Sequence, residues 1–156
     1  MSKSLKRITQ ALIDAGLDIT PIEIGAARTA AEAAKSADCA VDQIAKSIIF
    51  RGEASGRVIL FITAGGNQVD AAKSSAIAGE PLGKADAALI RATTGFAIGG
   101  VAPIAHLTES PAFWDPKLSN YAVVYSAAAT PRHVFGIAPT ALLKLPNAQV
   151  ADFTTQ

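Results

Sequence analysis

The 156-residue sequence contains one cysteine, Cys39, so no internal disulfide can form, and a reducing cytosol is the expected compartment. Aromatic residues are 6% of the chain, with one tryptophan, Trp114. The formal net charge is only +1, so no strong overall field draws the protein to nucleic acid; neither DNA nor a membrane is an expected partner. No apolar run approaches the roughly 20 residues that cross a bilayer. Residues 1–20 carry Lys3, Lys6, Arg7, Asp14 and Asp18 and lack the apolar segment of a signal peptide.

Familiar catalytic motifs are also missing. Residues 79–84 read G-x-x-x-G-K, one residue short of a phosphate loop, and Ala85 stands where a magnesium-binding Ser or Thr belongs. No G-x-G-x-x-G follows a strand, and no G-x-S-x-G elbow presents a serine nucleophile. His106 and His133 are the only histidines and, with Cys39, show no metal-ligand spacing. Neither a metal nor another cofactor is expected.

What is present reads as one α/β domain over residues 1–156, half of it hydrophobic. Leu5, Ile8, Leu12 and Ala15 make one helical stripe, capped by Ser2 or Ser4 and ended by Gly16. Residues 18–24 read as a strand that Pro21 confines to an edge. Thr29 and Glu32 form a capping box for a helix to about Ala37. Residues 41–45 form a helical turn, and Lys46 leads into the strand Ile48–Phe50. That strand pairs antiparallel with residues 58–64 across a polar turn. Helices follow at 70–78 and 86–91. Phe96-Ala97-Ile98 reads as a buried strand, and 111–120 as irregular. Residues 121–125 and 133–137 form an antiparallel pair, Pro139 opens a helix to Leu143, and 150–153 close the sheet. Strands arrive in hairpin-like pairs between helices, which gives a mixed α/β domain.

Two places carry chemistry. Gly99 and Gly100 end an apolar run, and Pro103 stiffens the chain just beyond them. The loop is either a tight strand-ending turn or a rigid array of bare amides for a carbonyl oxygen or a phosphate. Lys46 is flanked by apolar residues on both sides. It is either a solvated strand end or an ammonium aimed into a cleft, where it would grip a phosphate or carbonyl oxygen. His106 is a general base or a packing residue of the loop; packing is favoured because no orienting partner is evident.

The order Ile44-Ala45-Lys46-Ser47-Ile48-Ile49-Phe50, then Thr94-Gly95-Phe96-Ala97-Ile98-Gly99-Gly100-Val101-Ala102-Pro103, then Ala128-Ala129-Thr130-Pro131, closely resembles the YbaK/prolyl-tRNA synthetase editing-domain superfamily. The resemblance runs from about residue 3 to 153. It implies a free-standing aminoacyl-tRNA deacylase whose mostly antiparallel mixed sheet curves into a partial barrel with helices around it. It implies catalytic roles for Lys46 and for Gly99, Gly100, Val101, Ala102 and Pro103. Substrate contacts would come from Lys46, Thr94, Ile98, His106 and Thr130. The implied substrate is a small amino acid esterified to the 3′ end of tRNA-Pro or a related tRNA, hydrolysed without metal or side-chain nucleophile. An aminoacyl-tRNA synthetase is a possible partner. The family often has Pro at the position of Ala102, and Gly at those of Ala105 and Ala129. Two other classes fit the same residues: a non-catalytic module for a tRNA end or nucleotide, and a regulatory protein binding an amino acid or another protein.

Overall fold

The computed structural model describes residues 2–155; Met1 and Gln156, the two ends of the expected unit, lie outside the described residues. The first helix, α1 (Lys3–Asp14), is capped by the Ser2 hydroxyl, which accepts from the Leu5 N–H at 3.1 Å. Its stripe Leu5, Ile8 and Leu12 is buried, and Gly16 leaves the helix at φ 76°. The strand expected over 18–24 shrinks to β1 (Ile22–Glu23). The capping box expected for α2 (Ala30–Ala37) forms only in half: Thr29 accepts from the Glu32 N–H, but the Glu32 carboxylate accepts from the Arg28 N–H, one residue before the cap.

A 3-10 turn (Val41–Gln43) then delivers the chain into β2 (Ile44–Gly52). The strand begins two residues before Lys46, earlier than the sequence suggested. It pairs antiparallel with β3 (Val58–Ala64), Ile48 opposite Phe61 and Phe50 opposite Ile59. Next come α3 (Ala71–Ala78), β4 (Leu82–Lys84) and α4 (Ala87–Thr94); Asp70 and Asp86 cap the two helices through their carboxylates.

Two expectations fail in the middle of the chain. Residues 96–98 are not a strand. Phe96 is buried, but Ile98 is 62% exposed, because the run bends instead of pairing. Conversely, the stretch read as irregular holds β5 (Ala112–Trp114), buried throughout and parallel to β3. A three-residue strand is defined by its neighbour, not by any periodicity of its own. The next strand is β6 (Val124–Ala127), shifted toward the C-terminus from the expected 121–125. It pairs antiparallel with β7 (His133–Ile137), as expected. The chain ends with α5 (Pro139–Lys144) and β8 (Gln149–Val150), which adds parallel to β5.

The strand order is β1-β7-β6-β2-β3-β5-β8, with β4 also paired to β2. The sheet is mixed and does not close on itself. Alternation along β3 sends Leu60, Ile62 and Ala64 into one apolar cluster with Phe96, Trp114 and Phe135. Ile59 and Phe61 join a second cluster with Phe113 and Phe153. Each such large side chain contributes about 1.5–3 kcal/mol on burial, so β3 is a fixed central element. Its partner β2 carries Lys46.

Candidate functional site

Lys46 and the glycine loop face one cleft of about 760 Å³. That volume is in the range of small-molecule and cofactor sites. Its lining is mainly apolar and drawn from several segments: residues 24–33, the 3-10 turn and β2, α4, the loop after α4, β6, and the turn into β7.

Lys46 sits opposite Thr63 in the β2–β3 ladder, and its ammonium donates to the Gly65 carbonyl at 3.2 Å. The turn that holds this carbonyl is pinned by two carboxylates. Asp115, only 2% exposed, accepts from the Ala64 N–H at 3.0 Å and the Asn67 amide at 2.8 Å. Asp42 accepts from the Gly66 N–H at 2.9 Å. Gly65 itself is required, because a Cβ there would lie 2.2 Å from the Val41 carbonyl oxygen. Burial pushes the Lys46 pKa down, and Asp115 and Asp42 oppose that shift. The result is a partly desolvated ammonium with one protein acceptor on a fixed turn.

On the same cleft, Gly99 has φ 97°, a conformation costly for any residue with a side chain, and the space where its Cβ would project is empty. Gly100 differs. Its N–H donates to the Ala97 carbonyl at 3.3 Å, and it packs directly on the Ala129–Thr130 main chain. Among the described residues no protein acceptor takes the N–H of Gly99 or of Val101, and both residues line the cleft. Among the described residues of this loop that line the cleft, the amides without a protein acceptor are those of Ile98, Gly99 and Val101, the last two flanking Gly100. Ala102 and Ile104 behind them are buried, and Pro103 with them.

Of the residues expected in catalysis or in substrate contact, Lys46, Ile98, Gly99, Val101 and Thr130 line the cleft; Thr94, Gly100, Ala102, Pro103 and His106 do not. Thr94 is fully buried; its hydroxyl donates to the Ile90 carbonyl and accepts from the Phe96 N–H, stitching the end of α4 to the loop. His106 lies under the loop, with Nε2 2.6 Å from the Ala102 carbonyl and its ring edge-on to Phe96. Burial lowers its pKa, the Arg7 guanidinium lowers it further, and the Ala102 carbonyl opposes both. A carbonyl only accepts, so Nε2 donates to the loop, and the lowered pKa disfavours a second proton on the ring. Arg7 of α1 completes this underside: its guanidinium lies 4.5 Å over the Phe96 ring and donates to the Thr94 and Ala105 carbonyls.

The sequence reading missed His133, which lines the cleft at the start of β7. Its Nδ1 is 2.7 Å from the Thr130 hydroxyl, and its Nε2 is 3.6 Å from the Glu23 carboxylate. Thr130 also accepts from the Arg132 N–H at 3.1 Å, and with the imidazole proton on Nε2, the side facing Glu23, Nδ1 accepts from the Thr130 hydroxyl. The Thr130-x-x-His133 spacing within a turn was the available signal. Thr29, read only as a helix cap, lines the cleft as well, and so do Arg28 and Ser47.

The departures at Ala105 and Ala129 now have a physical meaning: both have left-handed backbones, with φ of 60° and 75°. Glycine at such positions is free of Cβ strain.

The fold and this cleft define an editing-domain protein. The chain belongs to the aminoacyl-tRNA editing domain family, whose model matches residues 25–145. YwhH of Bacillus subtilis (strain 168), an uncharacterized protein, is 29% identical over 133 residues, covering 85% of this chain and 83% of its own. EbsC of Enterococcus faecalis (strain ATCC 700802 / V583), a proposed Cys-tRNA(Pro)/Cys-tRNA(Cys) deacylase, is 29% identical over 118 residues, covering 73% and 70%. A solved structure described as a proposed trans-editing enzyme for prolyl tRNA synthetase superposes with a TM-score of 0.92 at 40% identity, covering 100% of this chain and 99% of that one. At family level the chemistry is therefore aminoacyl-tRNA editing. No described helix is long and apolar enough to cross a membrane.

Proposed function

We propose that this protein hydrolyses, in trans, the ester of a small amino acid mischarged on tRNA-Pro or a related tRNA. The observation that carries the reading is the pairing on one apolar cleft of the Lys46 ammonium with the free Gly99 and Val101 amides. The ester carbonyl lies against the two amides, which stabilise the oxyanion as water attacks. Lys46 holds the phosphate or backbone of the tRNA end and fixes the geometry. The attacking water is oriented by the substrate's own ribose hydroxyl, with no side-chain nucleophile and no metal. Thr130, held by His133, contributes a polar contact to the bound end.

The cleft wall formed by Ala27, Ala30, Ala31 and Ala33 admits a short side chain. Selection by size alone is coarse, about 1–3 kcal/mol per methylene. Alanine, serine, threonine and cysteine are the candidate amino acids. The wording attached to the trans-editing neighbour and to EbsC supports a proline-related tRNA and a synthetase as partner. A deacylation panel tests the reading: purified protein is mixed with tRNA charged with alanine, serine, threonine, cysteine or proline. At least one small-residue ester should be lost far faster than its spontaneous hydrolysis. Retention of every ester at the spontaneous rate would contradict it.

A further inference from the structure

The central strand β2 has one edge that is filled only at its ends. Toward β3 it pairs without a break from Ala45 to Arg51. On the opposite edge β6 covers Ile44 and Ala45, and β4 covers Phe50 to Gly52. Among the described residues no strand pairs with Lys46 to Ile49 on that side. Burial follows the gap: β3 is buried along its whole length, but Lys46 to Phe50 are half-buried.

The hydrogen bonds of β3 say which groups the gap exposes. Leu60 N–H donates to the Pro111 carbonyl and Ala64 N–H to Asp115, while the Ile62 carbonyl accepts from the Asp115 N–H. Leu60, Ile62 and Ala64 therefore turn their main chain away from β2, and Ile59, Phe61 and Thr63 turn theirs toward it. Their ladder partners Phe50, Ile48 and Lys46 are used up in that pairing. The alternate residues, Ser47 and Ile49, direct their main chain into the gap. There the Ile49 carbonyl abuts β4, which leaves the Ser47 N–H, the Ser47 carbonyl and the Ile49 N–H. Ser47 and Ile49 both line the cleft. An independent observation points the same way: the Ser47 hydroxyl oxygen is buried and has no hydrogen-bond partner. Buried polar groups are rarely left so without a ligand or water to meet them.

The gap is too short for a partner strand. Four residues span roughly 13 Å, and β6 and β4 close the two ends. A flat ring fits instead. A carbonyl and an N–H two residues apart on one strand edge complement an amino group beside a ring nitrogen, which adenine presents as N6–H and N1. Ile90, Ile98, Tyr125 and Ala127 line the same cleft and supply apolar surface for its faces. We propose that the Ser47–Ile49 edge is an adenine subsite that takes the terminal adenosine of tRNA, an assignment that rests on the function proposed above. It places the base next to Lys46, where the adjoining phosphate needs a cation.

The test uses 3′-alanylamino-3′-deoxyadenosine, in which an amide replaces the labile ester, and follows binding by titration and by the amide resonances of Ser47 and Ile49. Replacing N1 by carbon, or methylating N6 twice, should weaken binding by roughly 3- to 10-fold each, the worth of one hydrogen bond. Replacing N7 by carbon should change nothing. Equal binding of all four compounds, or unmoved Ser47 and Ile49 resonances, would overturn the subsite. AMP binding as tightly as the aminoacyl compound would assign the edge to free nucleotide and overturn the tRNA-end assignment. Ester loss from an alanylated minihelix is read in parallel. Hydrolysis with indifferent analogues removes the subsite and leaves the function; discrimination without hydrolysis removes the function and leaves the adenine edge.

Discussion

Gly100 rests on the main chain of Ala129: a Cβ added to Gly100 would lie 2.7 Å from the Ala129 carbonyl carbon and 2.8 Å from its oxygen. Neither atom belongs to a flexible side chain, so neither can step aside. The amide loop and the Ala128–His133 turn are thereby locked to each other, although about thirty residues separate them in the chain. Gly100→Ala should push the loops apart, costing about 1–3 kcal/mol in a urea melt and lowering deacylation together with stability. A variant as stable as wild type would show that the loops are not interlocked.

Ala129 and Ala105 carry the opposite prediction. Both hold left-handed backbones, which cost an L-residue about 1–2 kcal/mol. Ala105→Gly and Ala129→Gly should each raise stability by up to about 1 kcal/mol, after the greater chain entropy of glycine is subtracted. Destabilisation by both changes would contradict the assigned backbone angles.

Lys46 should tolerate removal in the fold and not in the reaction. Its ammonium is partly desolvated, so Lys46→Ala relieves an unfavourable burial while deleting the group that holds the tRNA end. Deacylation should fall strongly while the melt stays cooperative. Lys46→Arg should rescue only in part, because a planar fork cannot replace a compact ammonium above the Gly65 carbonyl. The lowered pKa also sets a pH limb. As pH rises, Lys46 neutralises before an ordinary lysine would, and the enzyme-dependent rate should fall there; the Arg variant should lack that limb. Full turnover by Lys46→Ala would reduce Lys46 to a tie between β2 and the Gly65 turn.

His106 gives a stability prediction with a definite sign. Its folded pKa lies below the ordinary histidine value, chiefly through burial. Between the two values the unfolded chain binds a proton that the folded chain refuses, so stability falls as pH drops through that window. Above the window the contribution is intact. His106→Gln should flatten this acid limb in urea melts taken across mildly acidic pH, without abolishing deacylation. A profile identical to wild type would place the acid sensitivity elsewhere, and lost catalysis at unchanged stability would move His106 into the chemistry.

Much of this architecture was written locally. The caps at Ser2, Thr29, Asp70 and Asp86 each satisfy a helix N–H with a side chain a few residues away, so sequence spacing suffices to find them. The β2–β3 hairpin was equally legible, because its turn and its apolar runs are contiguous. The parallel pairs β2–β6 and β3–β5 were not, since they join segments about fifty residues apart or more. Phe96-Ala97-Ile98 misled for a related reason. Phe96 is buried by Arg7 from the far N-terminus, and Ile98 is left to line the cleft. Lys46 and Gly99 could be singled out by residue type and neighbours. For His133 the Thr130-x-x-His133 spacing shows only half of its setting; the other half, Glu23 in β1, is about 110 residues away in the chain.

The central claim, that the loop amides receive the ester carbonyl, is tested most directly at Gly99. The space beside its Cα is open, and its φ is 97°. A methyl group there would stand in the path of the substrate and strain the amides on either side. Single-turnover deacylation by Gly99→Ala, measured beside a urea melt, separates catalysis from folding. The account predicts a loss of roughly 100- to 1000-fold in rate, as for one missing oxyanion donor, with a stability cost of only about 1–2 kcal/mol. A folded Gly99→Ala protein that turns over at the wild-type rate would contradict it.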